Sequence, residues 1–149
     1  MTPHTNILPG SIVLWAAGLS WLLAQLLKTL RYFILTHKLN LSYIVASGGM
    51  PSSHSALVTG LATAVGRVDG FTSTTFAIAA VLAGIVMYDA AGVRQAVSKQ
   101  ARLLNMMLDD FFHERGINER RLQEFIGHTP VQVFAGALLG IAIGILLTR

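Results

Sequence analysis

Four apolar stretches separated by short polar ones leave this chain few folds to choose from. Ile12 to Leu27 is apolar apart from Gly18, Ser20 and Gln25. A second run starts at His54, continues through Leu57, Val58, Leu61 and Val65, and closes at Arg67, Asp69 and Gly70. A third covers Thr74 to Met87, and a fourth Pro130 to Leu147. A lipid bilayer offers its interior no water to satisfy backbone groups, so runs approaching about 17 to 25 apolar residues read as helices that cross it. A chain that is 53% hydrophobic and only 12% charged fits that solvent. The expected fold is all-α and integral to the membrane. One domain, residues 1–149, would form a compact bundle of about four transmembrane helices plus amphipathic or interfacial ones.

The segments between the spans are informative as well. Leu39 to Ser47 is too short to span and would be re-entrant or interfacial. Val93 to Phe112 carries Val93, Val97, Leu104, Leu108 and Phe111 at helical spacing among charges of mixed sign, the pattern of an amphipathic surface helix. A short helix capped by Asn118 and ended by Gly127 would follow. Met1 to Gly10 has no Lys or Arg, so the charged start of a cleavable signal peptide is missing. Cysteine is absent, which removes disulfides, thiolate nucleophiles and thiolate metal sites.

The net charge of +4 comes without a basic run, which argues against nucleic acid and makes the charges a topology signal. Lys28, Arg31, Lys38, Arg94, Lys99, Arg102, Arg115, Arg120 and Arg121 share one face of a four-span topology, leaving Arg67 and Arg149 opposite. The positive-inside rule makes that face cytoplasmic, with both termini outside.

On that same face lies Gly48-Gly49-Met50-Pro51-Ser52-Ser53-His54-Ser55-Ala56. Proline is favoured at a first helical position, so a helix is expected from Pro51 or Ser52. Its N-terminus would offer unpaired N–H groups and positive potential to an anion, with Ser52, Ser53 and His54 adding side-chain donors. The plainer reading is a serine N-cap with a polar histidine near the membrane surface. Against that plainer reading, Asp89, Arg94 and His128 are brought to the same level as His54 although far apart in sequence.

Two histidines, several cations, paired hydroxyls and a helix N-terminus suit phosphoryl transfer, where positioning and charge stabilisation carry the catalysis. One histidine can attack phosphorus while the other protonates the leaving alcohol. A metal held by His54, His128 and Asp89 is the rival chemistry, disfavoured by the neighbouring cations and by the lack of a His-x-x-x-His pair. A serine nucleophile is disfavoured by the lack of a Gly-x-Ser-x-Gly elbow.

Three motifs together resemble the divergent branch of the type-2 phosphatidic acid phosphatase and vanadium haloperoxidase superfamily. They are Gly48 to Ala56, Met87-Tyr88-Asp89-Ala90-Ala91-Gly92-Val93-Arg94, and Gly127-His128-Thr129-Pro130 with Val133 and Gly136. The resemblance implies a helical membrane phosphatase without metal or other cofactor, acting on a lipid phosphate. Pro51, Ser52, Ser53 and His54 match its phosphate-binding element, with Ser53 in a glycine's place. His128 matches its nucleophile, and Gln132 occupies the position of the aspartate that orients it. An amide can orient an imidazole but cannot stabilise its positive form. The superfamily's first motif is not reproduced, and Lys28 and Arg31 stand in for it. Leu122 sits where an arginine is normal, with Arg121 one place off, and Arg94 is the preferred substitute.

The expected function is hydrolysis of a membrane lipid phosphate monoester. His128 is the nucleophile and His54 the acid, Asp89 and Gln132 support them, and Lys28, Ser52, Ser53 and Arg94 hold the phosphoryl oxygens. The alternative is a non-catalytic membrane protein that keeps an anion pocket on the same scaffold. The many small residues in the spans leave room for assembly into homo-oligomers.

Overall fold

The structure, a computed structural model, describes residues 9–37, 49–112 and 129–149. These form five helices: α1 (Pro9–Thr36), α2 (Ser53–Val68), α3 (Thr74–Ala91), α4 (Val93–Phe112) and α5 (Pro130–Leu147). No strand occurs among the described residues. The expected segments at 39–47 and 118–127 lie outside them.

Three helices are long and apolar enough to cross a membrane: Gly10–Thr36, Thr74–Ala91 and Pro130–Leu147. The fourth expected span, α2, has 16 residues and extends about 24 Å, short of the roughly 30 Å hydrocarbon core. It is the hub of the bundle, packed by α1, α3 and α5. The first span is longer than the sequence indicates. Lys28 and Arg31 interrupt hydropathy without ending the helix, which continues for roughly two more turns to Thr36 because nothing there breaks it.

The packing is that of a protein solvated by lipid. Small and hydroxylated residues fill the interior, with Ala16, Ala24, Ala56, Ser20 and Ser55 fully buried. Large apolar side chains such as Ile78, Val81 and Ile85 on α3 point outward. Helices in lipid gain little by hiding leucine from leucine-like tails, so they associate by close backbone approach.

Glycine supplies that approach between α2 and α5. A Cβ on Gly136 would strike the Ser52 backbone, one on Gly140 the Ala56 carbonyl and the Thr59 hydroxyl, and one on Gly144 the Thr63 side chain and Gly60 carbonyl. These contacts advance together along both chains, so α2 and α5 run parallel. The Thr59 hydroxyl donates to the Ala137 carbonyl across the pair (3.1 Å) and to the Ser55 carbonyl within its own helix (2.8 Å).

α3 is antiparallel to α2 and buries Ala79 and Ala83 against Val58 and Ala62. It begins with Ser73 as N-cap, whose hydroxyl oxygen accepts from the Phe76 N–H (3.1 Å). At Gly92 the chain leaves α3 and starts α4, which touches the bundle through α3. As expected, α4 is amphipathic, but Val97 and Leu104 of its anticipated apolar stripe are exposed, and so are Leu103, Met106 and Met107. Such a face suits a bilayer interface better than a bundle surface.

Candidate anion site at the paired helix N-termini

The motif turn is built around Gly49 and Ser52. Gly49 has φ +82°, a conformation that disfavours any side chain, and the stem of Lys28 packs directly on its bare Cα. Pro51 follows Met50 through a cis peptide bond and lies in the turn, so the helix begins two residues later than a proline start would place it. The reason is Ser52, which takes the N-cap. Its backbone is extended, its hydroxyl oxygen accepts from the Ser55 N–H (3.3 Å), and the Ser55 hydroxyl donates to it as well (3.0 Å).

Ser52 and Ser53 are both buried, at 0% and 2% exposure, which brings Ser52 close to the plainer reading of the motif. Ser52 also has a second duty. Its backbone N–H donates to the Gln132 carbonyl in the first turn of α5 (3.0 Å), tying the two helix starts together.

α5 begins in the same manner. Thr129 is its N-cap, Pro130 its first residue, and Gln132 closes a capping box: the Thr129 hydroxyl accepts from the Gln132 N–H (3.4 Å) while Gln132 Oε1 accepts from the Thr129 N–H (3.1 Å). Two parallel helices thus present their N-termini side by side, each carrying about half a positive charge.

Beside them α1 contributes two cations. Lys28 is 3% exposed, and with Arg31, Tyr32, Leu35, Gly49, Met50 and Gln132 it lines a pocket of about 190 Å³. That leaves room for a phosphate group. Lys28, Arg31, Tyr32 and Leu35 follow the three- and four-residue spacing of one helix face.

Of the expected site residues, the structure therefore brings Lys28 and Gln132 into one pocket, while Ser52 and Ser53 are buried and do not line it. His54, half-buried in the first turn of α2, and Asp89, half-buried in the last turn of α3, stand at the same end of the bundle. The backbone of Arg94 belongs to the first turn of α4, and its side chain lies outside the described set, as does His128. Tyr32 and Leu35 were missed by sequence reasoning, although their spacing from Lys28 could have found them. Among the described residues no three His, Asp or Glu side chains gather as a metal site.

Comparison with known proteins agrees with the fold and the motifs. Residues 10–143 match the Divergent PAP2 family. The chain is 40% identical over 137 residues to the "Uncharacterized membrane protein YuiD" of Bacillus subtilis (strain 168), covering 83% of this chain and 85% of that relative. No solved structure matches it. With a match across nearly its whole length and a relative at that identity, the chain belongs to the Divergent PAP2 family of membrane proteins.

Proposed function

We propose that this protein is a metal-independent phosphatase that removes phosphate from a membrane lipid phosphate monoester. The supporting observation is the pocket at the paired N-termini of α2 and α5, where Lys28 and Arg31 stand beside two helix dipoles. Such a site favours a dianionic phosphate and repels a divalent cation.

In the first step an imidazole nitrogen of His128 attacks phosphorus and the bond from phosphorus to the lipid oxygen breaks. His54, protonated, gives its proton to that oxygen as it leaves, so an alcohol departs rather than an alkoxide. Water then attacks the phosphohistidine, the P–N bond breaks, His54 takes a proton from the water, and inorganic phosphate is released. Lys28 and Arg94 hold the phosphoryl oxygens. Ser52 and Ser53 shape the α2 terminus that faces them, Asp89 orients a histidine or Arg94, and Gln132 steadies His128.

One feature supports a second reading, a scaffold that binds phosphate without turning it over. Gln132 stands where a carboxylate would stabilise the imidazolium, and its amide oxygen already serves the capping box. The decisive experiment is phosphate release by the purified protein in detergent, with chelator, from phosphatidic acid, phosphatidylglycerol phosphate and an isoprenoid diphosphate. Release abolished by His128→Ala and by His54→Ala supports the phosphatase. Full activity in either variant overturns it, and vanadate binding without release identifies the scaffold.

A further inference from the structure

A second cavity lies at the other end of the bundle. α3 and α5 flank α2 but scarcely touch each other, and between them runs an apolar groove of about 520 Å³. Its floor is Thr59 and Ala62 of α2, and its walls are Ala83 and Met87 of α3 with Ile141 of α5. Arg67 lines its far end, beside the Phe71 and Phe76 rings, which meet edge to face at 5.1 Å.

The length of the groove fits a lipid tail. From Thr59 to Arg67 along α2 is about 12 Å and from Phe76 to Met87 along α3 about 16 Å, which matches one leaflet of a ~30 Å core. An apolar slot of that length suits a hydrocarbon chain lying along one leaflet.

The charge completes the picture. Arg67 Nε donates to the Thr148 hydroxyl (2.8 Å) and carbonyl (3.4 Å), fixing the guanidinium at the end of α5. Its two Nη groups make no hydrogen bond or ion pair among the described residues. A planar fork of donors at the mouth of a leaflet-long apolar slot is complementary to a phosphate ester.

We propose that this groove holds one acyl chain of an anionic phospholipid from the leaflet opposite the candidate anion site, with the lipid phosphate on Arg67. The proposal is independent of the phosphatase reading, since none of its residues lines the pocket at the helix N-termini.

Native mass spectrometry of the detergent-purified protein, titrated with phosphatidylglycerol or phosphatidylcholine, tests it. One phosphatidylglycerol should be retained per chain, about fivefold more tightly than phosphatidylcholine. Arg67→Gln should bring the two lipids level, and Arg67→Lys should keep the preference. Gly84 lines the groove and a Cβ there meets nothing, so Gly84→Leu should fill the slot without a clash and release both lipids. Ala80→Leu repeats that test in case the first variant does not fold, as read by circular dichroism. Unchanged retention in the folded groove variants overturns the proposal, and so does a preference that survives Arg67→Gln. A fall from dimer to monomer in Gly84→Leu with lipid retained gives the groove to a second copy instead.

Discussion

Gly49 shows how a residue with no side chain governs one that has a charge. It carries the stem of Lys28 on its bare Cα, and a Cβ there would come within 3.1 Å of Lys28 Cγ in a backbone conformation that costs other residues about 1–2 kcal/mol. Gly49→Ala should weaken vanadate binding by about tenfold although every charge is kept, a loss measurable by equilibrium titration. Gln132→Asp is the complementary change. A carboxylate there can stabilise an imidazolium and also favours a helix N-terminus, so phosphate release should rise about tenfold or more over the native chain in a steady-state assay. Both positions were visible in the sequence, Gln132 as a departure from a motif and Gly49 as part of a glycine pair. The hydrogen bond from the Ser52 backbone to the Gln132 backbone was not, because no residue type encodes a main-chain bond between segments 80 positions apart.

At the scale of helices, hydropathy located α1, α2, α3 and α5, helical periodicity located α4, and chain chemistry set the ends. α5 begins at Pro130 as expected because Thr129 and Gln132 form a capping box in sequence. α2 begins later than expected because Ser52 outcompetes Pro51 for the start, and α1 runs on because a charge is not a helix breaker. The glycines of α5 decide how closely it meets α2. Gly140→Ala gains about 1 kcal/mol of helix propensity but forces a Cβ onto the Ala56 carbonyl and Gly60 N, backbone atoms that cannot swing aside, and overpacking costs about 1–3 kcal/mol. Net destabilisation should appear as a lower thermal midpoint in detergent. Gly18→Ala on α1, where a Cβ meets nothing, should raise it.

For the whole molecule, the inside-out distribution of side chains fixes the solvent as lipid, while orientation rests on the clustering of basic residues at the end bearing the pocket. The chain has no cysteine, so Met50→Cys provides a single reporter beside that pocket. A membrane-impermeant maleimide should modify it only after the cells are permeabilised; modification of intact cells would reverse the topology. The sequence could convey this arrangement only in outline, since it shows which segments are apolar but not that α2 and α5 lie parallel with their starts in register. That register decides what a substitution reports. The candidate site residues His54, Asp89 and Gln132 sit in the end turns of their helices, outside the helix crossing. The glycines of α5 below Gln132 lie against α2 at Ser52, Ala56 and Gly60, where a side chain has no room. Substitutions at the tips should therefore report on chemistry, and substitutions at the crossing on assembly of the bundle.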